Sequence, residues 1–304
     1  MWHVSRTIRR AAVATVALAL GASGLTSCDP AAPYEVAVFG DVPYSDSLEA
    51  AYDRMIADVN RTDVRFSSHL GDFKSSSSPC TDANLDENVR RFDTLARPLV
   101  YTPGDNEWLD CGTSRDVRLA RIRQVVHRVD GATSRGRTTR PLTSQASAGY
   151  PENARWSEPS VTFATLHVVG GGDDQGRSPG RLRRAATIDW MRAAFRSARD
   201  AGHAGIVLLA QDSPYNPDGS ISTAYRDLAD ALRAETLSFS GQVLWIQGDG
   251  HTYRNDRPMR AGDGSTVSRF RRIQVEGENK VSYVRLRVDP SSSGLFSITL
   301  SDRF

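Results

Sequence analysis

The residues best suited to chemistry in this chain are Gly40-Asp41, Gly71-Asp72, Gly104-Asp105 and Gly248-Asp249-Gly250-His251. Each follows an apolar run that reads as a strand. A Gly-Asp at a strand end puts a carboxylate where the chain leaves the sheet, and the glycine allows a sharp turn and close approach of a ligand. If these strands share an edge, three carboxylates and an Asp/His pair gather there. Clustered carboxylates repel one another unless a cation lies among them. Two divalent ions about 4 Å apart lower the pKa of a bridging water and clamp a phosphoryl group. A single Gly-Asp would be a surface turn or a helix cap; a series of them at strand ends is a candidate metal site.

The elements that position these acids follow from hydrophobic periodicity. Strand-like runs cover 35–39, 64–70, 98–102, 161–169, 205–210 and 243–247. Between them lie helical patterns at 47–60 (Leu48, Ala51, Met55, Val59), 81–96 (Leu85, Val89, Phe92) and 115–129 (Leu119, Ile122, Val126). Two more follow at 182–200 (Ile188, Met191, Phe195, Ala198) and 223–239. Strand–helix alternation predicts an α/β fold with a largely parallel sheet. In the tail, Val284, Leu286 and Val288, then Phe296, Ile298 and Leu300, alternate with polar residues, which predicts antiparallel strands. The Ser/Thr/Arg-rich stretch 131–150 reads as a loop or a lid.

The N-terminus has the marks of an export signal. Arg6, Arg9 and Arg10 precede an apolar run over 11–25, too short to span a bilayer. It ends in Leu25-Thr26-Ser27-Cys28, which resembles a bacterial lipobox, so Cys28 is the expected lipid attachment point. The organisation expected is a signal peptide at 1–27, a tether at 28–33 and one domain at 34–304, anchored extracytoplasmically on a bacterial membrane. Loss of 1–27 removes three arginines and no acid, taking the formal charge from +2 to slightly negative. The basic field of a nucleic-acid binder is therefore absent. In an oxidising compartment Cys80 and Cys111 are expected to pair. A catalytic thiol is disfavoured, since neither has a neighbouring His or Lys to lower its pKa.

The ordered runs GDVPY (40–44), HLGDFK (69–74), YTPGDNEW (101–108) and QGDGHTY (247–253) resemble the calcineurin-like metallophosphoesterases, which include the purple acid phosphatases. The resemblance implies a four-layer αββα sandwich with mixed sheets and a metal site at the carboxyl ends of the strands. It also implies two metal ions and hydrolysis of a small phosphate ester by a metal-bound hydroxide. Asp41 matches a ligand of the first metal, Asp72 the bridging ligand and His251 a first-metal ligand. Asp105 stands where the family has an Asn ligand, Asn106 where it has a catalytic His, and Asp249 where it has a His ligand. The His two residues after the first Asp is Pro43, and Tyr44 is a candidate phenolate ligand. Gln211 or Asp212 follows the buried strand in place of another His. A site rich in oxygen donors and poor in nitrogen favours Mn or Fe, with Zn, Mg or Ca open. The His losses also admit a scaffold that holds a phosphorylated ligand or one cation without cleavage.

Lys74 and Arg254 stand beside motif residues and are candidates for phosphate oxygens, against a reading as surface charges. His69 is expected as a hydrogen-bonded core histidine, and Trp108 and Trp156 as core. The glycines at 170–172 are expected to form a rim loop.

Overall fold

The structure is a computed structural model that describes residues 1–3, 31–173 and 177–304. The chain divides into two units, Met1–Pro30 and Ala31–Phe304, and the first lies almost wholly outside the described residues. The expected signal peptide and Cys28 fall there.

In chain order the elements of the second unit begin with β1 (Tyr34–Phe39), α1 (Asp46–Arg61), β2 (Val64–His69), α2 (Asp82–Phe92), β3 (Leu99–Tyr101) and α3 (Arg115–Val125). Next come β4 (Thr143–Gln145), β5 (Tyr150–Glu158), β6 (Val161–Thr165), α4 (Ser178–Asp200), β7 (Gly205–Leu209) and α5 (Arg226–Ser238). The last are β8 (Gln242–Gln247), β9 (Arg254–Asp256), β10 (Phe270–Gln274), β11 (Val284–Val288) and β12 (Phe296–Leu300).

The strands form two mixed sheets. One has the order β12-β11-β1-β2-β3 and the other β4-β5-β6-β7-β8-β10-β9. In the first, β1, β2 and β3 are parallel, with antiparallel β11 and β12 on the flank. In the second, β6, β7, β8 and β10 are parallel. Successive side chains on a strand point to opposite faces, and here both faces are covered. Val36 and Val38 of β1 face Phe163, Val207, Leu209 and Ile246 across the gap between the sheets. Ala37 and Phe39 pack instead on Tyr52, Met55 and Val59 of α1. Ile206 and Leu208 pack outward on Met191 and Phe195 of α4 and Leu232 of α5. The result is the helix–sheet–sheet–helix sandwich that the resemblance implies. Burial on both faces is also why the central strands read as continuous apolar runs.

Three segments run against their sequence. In β5, Glu152 is fully buried and pairs with Arg123 and with His167 Nδ1 at 2.9 Å. In β10, Arg272 is 1% exposed, pairs with Asp256 of β9 at 2.7 Å, and donates to the carbonyls of Tyr215 and Asn216. The segment 131–150 is neither a bare loop nor a lid. It contributes β4, bridges Leu99 through Arg135, and ties Arg135 to Asp93. Glycines 170–172 form a 3-10 turn.

Candidate metal centre

Parallel strands deliver their carboxyl ends to one edge, and here two sheets deliver to the same place. Asp41 follows β1, Asp72 follows β2 and Asp105 follows β3; from the facing sheet, Gln211 follows β7 and Asp249 and His251 follow β8. Asp41, Asp72, Asp249 and His251 all hold left-handed backbone, with φ of 57°, 55°, 64° and 54°. Such φ values are uncommon outside glycine and cost energy, so their concentration here marks the edge as a functional one.

The side chains meet in two groups joined by a single oxygen. In the first, the Tyr44 hydroxyl lies 3.4 Å from Asp41 Oδ1, 3.2 Å from Asp72 Oδ2 and 3.1 Å from His251 Nε2. It accepts from Asn106 Nδ2 at 3.0 Å. Asp41 Oδ1 also accepts the Asp249 N–H at 2.9 Å and lies 3.5 Å from His251 Nε2. In the second, Gln211 Nε2 donates to Asp72 Oδ2 at 3.0 Å, to Asp105 Oδ1 at 3.1 Å and to Asp249 Oδ1 at 3.0 Å. Asp72 Oδ2 belongs to both groups. Asp41, Asp72 and Gln211 are buried, whereas Tyr44, Asp105, Asp249 and His251 are half-buried and open the site to solvent.

The electrostatics are those of an anionic cavity. Burial, with repulsion from Asp249, moves the Asp105 carboxyl up to about 7, and burial moves Asp41 up to about 6 despite its contact with His251. Asp72 is raised by burial and then by Glu107, Asp105 and Asp41. Asp249 is raised by burial. Half-buried Asp212 is moved up to about 8 by burial and by Asp249. His251 is raised by its hydrogen bond to Asp41. Burial and the neighbouring carboxylates raise the Tyr44 phenol.

Do these residues suit a metal? Among the described residues no group of three or more His, Cys, Asp or Glu is arranged to hold an ion by itself. Around the Tyr44 hydroxyl, the first group offers donors of suitable chemistry. Its donors are two carboxylates, an imidazole and a phenol, a set suited to Mn or Fe. Asp41 Oδ2 is buried and without a partner. The acids of the edge also exceed the positive charge facing them. In the second group the atom presented by Gln211 is a donor nitrogen, which is not a metal ligand.

Glu107, to which the sequence reading assigns no role, holds the two acid loops together. Its carboxylate accepts the Asp72 N–H at 3.0 Å, the Gly104 N–H at 2.7 Å and the Tyr101 hydroxyl. Asn106 N–H in turn donates to Asp72 Oδ1 at 3.0 Å. The signal was present in the run Gly104-Asp105-Asn106-Glu107, where an acid stands three residues after a glycine whose amide needs an acceptor. Lys74 is 3% exposed and donates to the Asn106 carbonyl at 2.6 Å and that of Ser75 at 2.7 Å, so it braces the loop from beneath. Arg254 lies on β9 beside Asp256, at 3.8 Å. His69 is fully buried and accepts the Gly71 N–H at 3.1 Å. Trp108 and Trp156 are core residues. Cys80 and Cys111 are joined by a disulfide with Cα atoms 5.9 Å apart, tying the loop after Asp72 to the loop after Asp105.

Comparison with solved structures follows this geometry. GAP50, the anchor in the inner membrane complex of Plasmodium, superposes with a TM-score of 0.53 at 9% identity, over 90% of each chain. The likeness is one of fold. TT1561 of Thermus thermophilus gives a TM-score of 0.49 at 11% identity, over 88% of this chain and 98% of that one. No protein-family model and no curated protein matches the chain in sequence.

Proposed function

We propose that this chain is a cation-dependent phosphoesterase. The observation that carries the reading is the convergence of Asp41, Asp72, Asp105 and Asp249 from two sheets on one solvent-facing edge, with His251 the one imidazole among them. Asp41, Asp72, His251 and Tyr44 would hold the cation. When bound, it supplies a Lewis acid for phosphoryl oxygens and lowers the pKa of a water. Asn106, 3.0 Å from the Tyr44 hydroxyl, is placed to turn its amide to a phosphoryl oxygen. His251 presents Nε2 to Asp41 Oδ1 at 3.5 Å and to the Tyr44 hydroxyl at 3.1 Å, the side from which it would ligate. Export with a lipid at Cys28 belongs to the same proposal, and the disulfide is in keeping with an oxidising compartment.

The test is hydrolysis of aryl and alkyl phosphate esters by the full chain, with Mn or Fe and then with chelator. With Asn106 in place of a proton-donating His, aryl esters with good leaving groups should react at least about 100-fold faster, the lower end of what general acid catalysis contributes. Chelator and Asp72→Asn should each abolish turnover. Hydrolysis that survives both would sink the proposal.

A second reading is a site that binds without cleaving. It is favoured by the Gln211 amide, which donates to three carboxylates where a cation would sit. GAP50, similar in fold, is itself an anchor. Tight phosphate-ester binding with no turnover under any metal would favour it.

A further inference from the structure

Resting on the phosphoesterase reading and deepening it, we infer that the centre works with one cation, because the Gln211 side-chain amide stands in the place of a second. Asp72, Asp105 and Asp249 each direct an oxygen at one point, and Gln211 Nε2 occupies it at 3.0, 3.1 and 3.0 Å. Three carboxylate oxygens around one atom is how a divalent ion is held. Here the atom is an amide nitrogen that carries two donor hydrogens and accepts nothing.

The amide is oriented from behind. Gln211 Oε1 accepts the Gly170 N–H at 2.6 Å. Turned over, the amide would set its NH2 against that N–H and its oxygen against three carboxylates, so both ends select one orientation. The side chain is enclosed and its backbone is fixed. Gln211 is fully buried, its own N–H donates to the Val168 carbonyl at 3.2 Å, and its carbonyl accepts the Gly248 N–H at 2.9 Å. Gly170 is equally constrained, since a Cβ there would run into the Asp249 and Asp105 carboxylates.

The two halves of the edge thus differ in kind. On the Tyr44 side, Asp41, Asp72 and His251 surround a hydroxyl whose oxygen would become a ligand on losing its proton to solvent. On the Gln211 side, the three acids surround a buried donor that is held from behind by Gly170. Gln211 therefore sets the cation count and, by hydrogen bonding to Asp72 Oδ2, positions the carboxylate that the single ion uses.

The test loads the full chain with Mn²⁺, removes excess by dialysis, and reads ions per chain by elemental analysis together with the Mn²⁺ electron paramagnetic resonance spectrum. Wild type should hold one ion with the signal of an isolated centre. Gln211→His and Gln211→Glu supply a ligating nitrogen or oxygen at the same point, and each should take up a second ion with an exchange-coupled signal. Two coupled ions in wild type would overturn the inference, even if both variants failed to fold. So would folded variants that still hold one. If wild type holds no ion, the phosphoesterase reading fails. Uptake by a variant would then still support Gln211 as the blocking group, and no uptake would overturn that as well.

Discussion

Gln211 Nε2 donates to Asp72 Oδ2 at 3.0 Å, and this bond joins the strand ends of two sheets across 139 residues of chain. The same oxygen lies 3.2 Å from the Tyr44 hydroxyl. Asp72 is thus the hinge of the edge: the group around Tyr44 and the group around Gln211 communicate through one atom.

Tyr44 is the first place to test that arrangement. A phenolate bound to Fe³⁺ gives a charge-transfer absorption in the visible. The iron-loaded protein should show this band and Tyr44→Phe should lack it. The variant should also hold its cation about 10- to 100-fold less tightly, the range typical for loss of a group that supports a metal site. An identical spectrum in the variant would remove Tyr44 from the ligand set.

Asp212 offers a test by pH. Its carboxyl is raised from 3.8 to about 8 in the fold. A raised acid keeps its proton in the folded chain while the unfolded chain loses it. Stability therefore falls as pH rises through that window, and the full cost is present above pH 8. In cation-free protein, Asp212→Asn should be more stable than wild type near that upper pH, by about 1.4 kcal/mol for each unit by which the fold raises the carboxyl. Below the unfolded value of 3.8 the two should be equal. Denaturant melts at the two ends of the window measure this, and a variant less stable at the upper end would refute it.

Glu107 holds the acid loops through three donors. Glu107→Gln puts an NH2 against at least one of them. Leaving one buried donor unpaired costs about 1–3 kcal/mol. The variant should lose that much in urea melts, and cation affinity should fall with it as the Asp72 loop loosens. A variant with wild-type stability would show that the loops are held elsewhere.

The Cys80–Cys111 bond closes a loop with a sequence separation of 31. Loop entropy over that length gives about 3–4 kcal/mol. Reduction should lower the denaturation midpoint accordingly, with a weaker hold on the cation because Asp72 and Asp105 precede the two bridged loops. Equal midpoints with and without reductant would contradict this.

Much of the fold was legible because its signals are local. The runs in β1, β7 and β8 are largely apolar since both faces of each strand are covered, and the stripes of α1 and α4 fall where the helices meet a sheet. Strands β5 and β10 were not legible. Their Glu152 and Arg272 look like surface residues, yet both are buried by partners far along the chain, Arg123, His167 and Asp256. Burial of a charge depends on its pairing, which composition does not carry.

The sequence by itself determined that acids stand at the ends of strands, since an apolar run followed by Gly-Asp is a local pattern. Only the tertiary structure decided which atom each acid meets. Asp72 reaches Tyr44 on one side and Gln211 on the other because two sheets pack face to face and bring their carboxyl ends together. Hydrogen bonds of about 3 Å fix what stands between the acids. The packing of Val36, Val38, Phe163 and Val207 between the sheets brings the two edges within that reach.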